Sequence, residues 1–440
     1  MTRVAVIGAG LAGTAVAMHL LREGAAGVVL IEREREPGRG TAYGTRRPEH
    51  LLNVPARRMS VWPDDPTEFA RWWERRGGDA EDYAARMLFG DYICELMTGA
   101  AERIETVSGE AVDVGLSGGR EAVRLRDGRT VEAEAVVLAL GNLRPAPLPG
   151  LDPRRLGAAY VEDPWYGGLA DGLAADDVVL LVGTGLTAID AALTLDALGF
   201  RGRILALSRR GLAPRANLPR EPVAEPLDAF PRSAVSLARA VRRRAREIGW
   251  RESIHEVRQA AQRIWREAPV AERRRFLRHL RPWWDVHRHR IAPAVARRID
   301  EMRAEGRLRF AAGRIVAAEP DGAGADVTWR PRGADRPQRL RAARIVNCSG
   351  PELDIGRAGE PLLDTLIAGG RIRPDACRLG IDVDEYSRAL DSGGTAGPSL
   401  YAIGPMTRGA LWESIAVSDI GVQAQAVART IMAPAKGASR

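Results

Sequence analysis

The stretch Arg3-Val-Ala-Val-Ile-Gly8-Ala-Gly10-Leu-Ala-Gly13 decides the fold. Arg3 to Ile7 is a short run of β-branched and small apolar residues, the composition of a buried strand. Three glycines at the spacing G-x-G-x-x-G follow at once, and Leu11 to Arg22 has the periodicity of a helix. Gly27-Val-Val-Leu-Ile31 is a second strand, with Glu32 at its C-terminal end. This is a dinucleotide-binding fingerprint in its strand–turn–helix–strand context. Gly8 allows the tight turn, Gly10 lets the backbone approach a pyrophosphate, and Gly13 lets helix and strand pack closely. The helix N-terminus offers free N–H groups and positive dipole to phosphates, and Glu32 is placed to accept from a ribose hydroxyl.

The same plan recurs downstream. Val178-Val-Leu-Leu-Val182 is a strand, Gly183-Thr-Gly185-Leu-Thr187-Ala188 a turn, Ile189 to Leu198 a helix and Arg203 to Ser208 the next strand. Ala188 takes the third glycine's place, where only close packing is at stake. Ser208-Arg209-Arg210 stands where the first unit has Glu32. An acid there would repel a 2′-phosphate, whereas Ser and Arg bind one through charge-assisted bonds, so this unit favours NADPH over NADH.

Each fingerprint opens a unit closed by a buried strand ending at glycine. Ala135 to Gly141 closes the first and Arg344 to Gly350 the second. The short alternating runs Glu121–Leu125 and Thr130–Ala133 predict antiparallel strands around the turn Asp127-Gly128. Gly38 to Gly44 and His50 to Ser60 predict a shaped loop beside the first site. From Pro231 to Arg307 the chain is helical and rich in Arg and Glu, an inserted subdomain. Within it, Trp283, Trp284, Asp285, His287 and His289 cluster as a candidate substrate pocket. No third ligand at a familiar spacing accompanies the histidines, so no metal site is expected. The tail returns with Ser399 to Ile403, Gly404-Pro405, and a helix from about Glu413 to Met432.

Composition sets limits. A chain of 440 residues divides into two or three domains. The net charge of +8 is carried almost wholly by arginine, Lys436 being the only lysine. That usage reflects arginine preference across the chain and is weak ground for a nucleic-acid partner. The three cysteines, Cys94, Cys348 and Cys377, form no C-x-x-C pair, which leaves no local redox dithiol and points to a reducing cytoplasm. No apolar run is long enough to span a membrane.

The order of these elements resembles the two-dinucleotide-binding-domain flavoproteins, and more closely the bacterial FAD-NAD(P)-binding family, a group related to flavin-dependent N-hydroxylases such as aspartate N-monooxygenases. The closer resemblance rests on Gly40–Gly44, His50–Ser60, Leu280–Arg290 and Thr407-Arg-Gly-Ala-Leu-Trp-Glu413. It implies an α/β protein with two Rossmann-like dinucleotide-binding domains and a helical insertion. Residues 1–165 and 346–440 would form the FAD-binding domain. Residues 166–345 would form the NAD(P)H-binding domain, interrupted at 226–305. FAD would lie on Gly8, Gly10, Leu11, Ala12, Gly13, Glu32, Arg33, Tyr43, Asn53, Gly141, Gly404 and Trp412. NADPH would lie on Gly183, Gly185, Thr187, Ala188, Ser208, Arg209 and Arg210. Asn53, Asp285 and His287 are the catalytic expectations, with Asp285 holding a substrate amine and Arg288 or Arg290 a carboxylate. Gly404-Pro405 departs from the Gly-Asp that many such proteins carry.

The implied activity is flavin monooxygenation of a small amine or amino-acid substrate with O2. An NAD(P)H-dependent reductase or oxidase without oxygen insertion, and a non-enzymatic flavin-binding sensor or scaffold, are the alternatives. Homo-oligomerisation stays open.

Overall fold

Successive residues of the first strand face opposite sides of a sheet, and here both sides are apolar. In the computed structural model, which describes residues 2–33, 37–218 and 230–433, Arg3–Ile7 lies between Gly27–Glu32 and Ala135–Leu138, parallel to both. Val4 and Val6 point into one core with Val28 and Leu30; Ala5 and Ile7 point into another with Val29 and Ile31. A strand buried on both faces needs cover on both. Helices Leu11–Arg22 and Val417–Met432 cover the first face through Val16, Leu20, Ala424 and Val427. The second is covered by the antiparallel sheet Ala111–Ser117, Arg120–Leu125, Thr130–Ala133 and by helix Pro361–Ala368. Ile104–Ser108 and Ala396–Ala402 extend the sheet in parallel, and Arg388–Leu390 closes one edge antiparallel. C-terminal residues thus complete the sheet that the N-terminus begins.

The second sheet repeats the logic. Val178–Val182 lies between Arg203–Ser208 and Arg344–Asn347, parallel to both. Val179 and Leu181 pack under helix Leu186–Ala197, and Leu180 packs on the opposite face with Trp329 and Ile345. The 14-residue strand Leu308–Asp321 runs parallel to Arg203–Ser208 in its first part. It then pairs antiparallel with Gly324–Pro331, the register shifting between Ile315 and Ala317, where an irregularity of this kind bends the strand.

Three expected boundaries move. Tyr160–Val161, placed before the break at 165, is the edge strand of the second sheet, paired with Ile345 and Val346. The break at 345/346 falls inside strand Arg344–Asn347 of that sheet. The insertion, expected over 226–305, shows helices Ala234–Ile248, Trp250–Glu267, Val270–His279 and Arg281–Arg288; its first residues, 226–229, lie outside the described residues. Helix Pro293–Ala304 instead packs Val295, Ile299 and Met302 beneath the second sheet, completing the nucleotide-binding unit. The last helix starts at Val417, not near Glu413, because Glu413 has a left-handed backbone (φ +73°) that no helix continues. No described helix is long and apolar enough to cross a membrane.

Candidate active site

The two glycine turns separate what the fold requires from what a ligand requires. Gly8 has φ +99°, and a Cβ there would lie 2.5 Å from the Ala139 carbonyl oxygen. A Cβ on Gly13 would lie 1.8 Å from the Gly8 carbonyl oxygen, and one on Gly183 (φ +137°) 2.1 Å from that of Cys348. Protein packing therefore demands these three. The middle glycines differ. A Cβ on Gly10 would meet nothing nearer than Gly40 Cα at 3.5 Å, and one on Gly185 would meet nothing within 4 Å. Both cap helices that have no side-chain cap and no acid in the first turn. Bare N–H groups, positive dipole and open space above a glycine together fit a pyrophosphate.

Around the first turn, Glu32 Oε2 accepts the Ala9 N–H at 2.7 Å, which holds the carboxylate over the turn. Leu11 and Ala12 are buried in the helix's first turn. Arg33, expected on the cofactor, pairs with Glu360 at 2.9 Å. The Tyr43 ring packs 4.8 Å from that of Phe89, and burial pushes its hydroxyl pKa up to about 12. Gly141, with φ +68°, lies three residues beyond the closing strand Ala135–Leu138 and faces open space. Gly404, with φ +76°, comes back against Ala12: a Cβ on it would lie 3.2 Å from that of Ala12. Its N–H donates to Gln423 Oε1, and its carbonyl accepts from the hydroxyls of Thr407 and Ser414. These bonds shape the Gly404-Pro405 turn without the usual aspartate.

In the second unit, Ala188 is buried against the sheet and Thr187 sits in the first turn of the helix. Ser208 Oγ lies 2.9 Å from Thr184 Oγ1 and accepts the Gly211 N–H at 3.0 Å, so its hydroxyl shapes the loop. Arg209 and Arg210 make no hydrogen bond or ion pair among the described residues. Two adjacent arginines with no ion pair, at the end of this strand and beside the second glycine turn, are ready partners for a phosphate.

The units are bonded to each other through residues of which only Asn53 is a sequence-based site expectation. His50 spans from Thr45 Oγ1 (2.8 Å) to Thr194 Oγ1 (2.9 Å) on helix Leu186–Ala197. Burial holds its pKa below the ordinary imidazole value. Arg86 pairs with Asp190 on the same helix at 2.9 Å, both largely buried. Asn217 Nδ2 donates to the Asn53 carbonyl at 2.8 Å, while the Asn53 side chain makes no hydrogen bond among the described residues. Asn53 thus sits where both units meet with its amide unspent.

The insertion does not bring Asp285 and His287 together. Two apart on helix Arg281–Arg288, they point to different sides. His287 Nδ1 bonds the Trp283 carbonyl (2.7 Å), and its ring lies edge-on to Trp250. Asp285 faces Arg281, Oδ2 to Nε 3.3 Å, and its Oδ1 is enclosed without a partner; burial raises its carboxyl pKa. Beside it Glu413, fully buried, accepts from Trp284 Nε1 (2.8 Å) and Arg288 Nε (2.9 Å), with Arg258 Nε at 3.5 Å. Arg288 is therefore committed to Glu413, and Arg290 is also engaged. Trp412, expected on the cofactor, is buried in an aromatic cluster, stacked on Trp265 at 4.5 Å and edge-on to Phe276. In the sequence, Arg408 and Glu413 stand out only as members of the Thr407–Glu413 motif, Glu413 also marking the expected helix start.

Residues 5–143, within the first unit, match the family described as FAD-NAD(P)-binding. No curated protein matches the sequence. Among solved structures, the chain is similar to the reduced form of ornithine hydroxylase from Pseudomonas aeruginosa, with 16% identity and TM-score 0.68, covering 98% of this chain and 99% of that one. L-lysine 6-monooxygenase from Pseudomonas syringae gives 16% identity and TM-score 0.70 over 98% of this chain and 99% of that one. Thioredoxin reductase from Lactococcus lactis gives 13% and 0.57 over 98% and 99%. The fold is that of the two-dinucleotide-domain flavoproteins, over nearly the whole chain.

Proposed function

We propose that this protein is an FAD-dependent oxidoreductase that uses NADPH and O2 to hydroxylate the amine nitrogen of a small, amino-acid-like substrate. The observation that carries the reading is the pair of middle glycines, Gly10 and Gly185, each open above a helix N-terminus in a separate unit. One turn in each of two bonded units is an arrangement for two dinucleotides. In this reading Gly10 and Glu32 hold the ADP half of FAD, while Gly185, Arg209 and Arg210 hold NADPH. FAD, when bound, supplies the hydride acceptor and the centre that reacts with oxygen. The chain's own task is to hold both nucleotides in register, which the His50–Thr194 and Asn217–Asn53 bonds serve. It must also bind an amine beside the flavin and keep water out.

The route to a protein dithiol taken by thioredoxin reductases has no counterpart here. No two of the three cysteines, Cys94, Cys348 and Cys377, stand as a C-x-x-C pair, and Cys348 is buried with its thiol pKa pushed up by desolvation. The full-length likeness to an ornithine hydroxylase and a lysine monooxygenase supports an amine as the acceptor. The test is NADPH oxidation by the FAD-loaded protein with L-ornithine, L-lysine and L-aspartate under isotope-labelled O2. Labelled hydroxylamine formed in step with NADPH consumption is the expected result. Hydrogen peroxide matching all the NADPH consumed, with every amine, would make the protein an oxidase instead.

A further inference from the structure

We propose that Arg408 anchors the carboxylate of the substrate, with Asp285 set to receive its ammonium group. This rests on the amino-acid reading above, but it is measured by binding. Arg408 is 7% exposed. Its guanidinium lies over the Trp412 ring, 4.6 Å from the centroid, and Trp412 is itself fixed by stacking on Trp265. Among the described residues it has no ion pair and its side chain makes no hydrogen bond; Nε is fully enclosed with no acceptor. Removing a guanidinium from water without a partner is costly, and a chain keeps one where a ligand supplies the partner. The nearby anion Glu413 cannot serve, because Trp284, Arg288 and Arg258 already occupy it.

The matching unmet acceptor comes from a different element. Asp285 spends Oδ2 on Arg281 and leaves Oδ1 enclosed without a donor. His289 Nε2 is likewise enclosed and unpartnered. These groups sense one another: Arg281, Asp285 and Glu413 are the charges that act on Arg408, whose pKa burial brings down to about 10. One unsatisfied cation on the loop after Gly404 and one unsatisfied carboxylate oxygen on helix Arg281–Arg288 are complementary to a zwitterion. The loop that carries Arg408 also carries Gly404, packed against Ala12 of the first nucleotide turn. The site therefore joins the insertion to the flavin-binding unit. The sequence-based choice of Arg288 or Arg290 for the carboxylate is replaced, since both are engaged.

The test uses the FAD-loaded protein and titrates L-ornithine, L-lysine and L-aspartate, each against its own α-carboxamide, by calorimetry and tryptophan fluorescence. At least one acid should bind about ten-fold or more tightly than its amide, the effect of one charge-assisted contact. Arg408→Gln should erase that preference while keeping FAD content, and Arg408→Lys should restore part of it. Arg408→Gln should also melt no lower than wild type without ligand, because it removes an unpaired buried charge. Acids binding no tighter than amides, including no binding of either, would overturn the proposal, and this arm needs no variant. Loss of FAD in Arg408→Gln would also overturn it, assigning the guanidinium to the flavin. Arg408-dependent binding without hydroxylation would sink the monooxygenase reading and leave this site standing; hydroxylation indifferent to Arg408 would do the reverse.

Discussion

Gly13 and Gly8 approach so closely that a Cβ on Gly13 would stand 1.8 Å from the Gly8 carbonyl oxygen, whereas the neighbouring Gly10 has room for one. Two glycines of one motif therefore answer to different demands. Gly13→Ala should destabilise the first unit by overpacking, by about 1–3 kcal/mol or more. Gly10→Ala should melt within a few degrees of wild type in the absence of FAD, yet bind FAD weakly, because its methyl fills the pyrophosphate's approach. Thermal melts and flavin absorbance on the two variants check this, and equal FAD content in wild type and Gly10→Ala would remove the first turn from the cofactor site.

Arg209 and Arg210 make no hydrogen bond or ion pair among the described residues, so removing their charges breaks no native polar interaction there. The double variant Arg209→Ala, Arg210→Ala should keep wild-type stability and lose its preference for NADPH over NADH. Each charge-assisted bond lost to the 2′-phosphate costs about 1.5–3 kcal/mol, or about ten- to a hundred-fold in affinity. Wild-type protein that uses NADH and NADPH equally would count against the assignment.

His287 was grouped with Asp285 from sequence because the two stand two residues apart. In the structure its ring bonds the Trp283 carbonyl and lies against Trp250, away from the unpaired groups. His287→Ala should therefore lower the melting temperature slightly and leave amino-acid binding intact, while Asp285→Asn should weaken binding. Parallel titrations of the two variants decide it; equal losses would restore the sequence grouping.

How much could be read from the chain alone follows from the range of each interaction. The alternation of Val4 and Val6 with Ala5 and Ile7, and the glycines at 8, 10 and 13, act within a dozen residues, so strand, turn and helix were legible. The extent of the insertion was not. Helix Pro293–Ala304 carries Arg and Glu like the insertion's helices, and only Val295, Ile299 and Met302, on one face, tie it to the second sheet. Nor were His50–Thr194 and Trp284–Glu413 legible, since they join residues 144 and 129 positions apart. Arg408 looked like one arginine among many; what distinguishes it is burial without a partner, which composition does not encode.

Acid should destabilise the protein through His289. Burial holds its folded pKa down to about 3, against 6.5 for an ordinary imidazole. Above pH 6.5 both states are neutral and the group contributes nothing to pH dependence. Below it the unfolded chain takes up a proton that the folded one refuses, so stability falls by up to about 1.4 kcal/mol per pH unit. Glu68, raised to about 7 by burial, works in the opposite sense, so the comparison must be against a variant. His289→Gln should flatten the decline between pH 6.5 and 5 by up to about 2 kcal/mol in urea unfolding. Identical slopes would mean that the imidazole gains its proton in the folded state.

Glu413 holds the insertion to the flavin-binding unit, and its loss should be the most damaging single change in this region. It is fully buried at φ +73°, a backbone conformation that a glutamate rarely adopts. Its carboxylate collects the Trp284 indole N–H and Arg288 from one helix, and Arg258 from another. Arg258 and Arg288 hold its pKa below the ordinary carboxylate value, outweighing burial. Glu413→Ala would leave Arg288 buried without its partner, and breaking a buried pair from one side costs about 3–5 kcal/mol. Glu413→Gln keeps an acceptor for the indole but not the charge, so it should fall between the two. The damage should be local: limited proteolysis should cut the insertion helices, residues 234–288, while the two nucleotide-binding units still resist. A Glu413→Ala protein that resists proteolysis like wild type would show that apolar packing around Trp265 and Trp412 holds the insertion without the ion pairs.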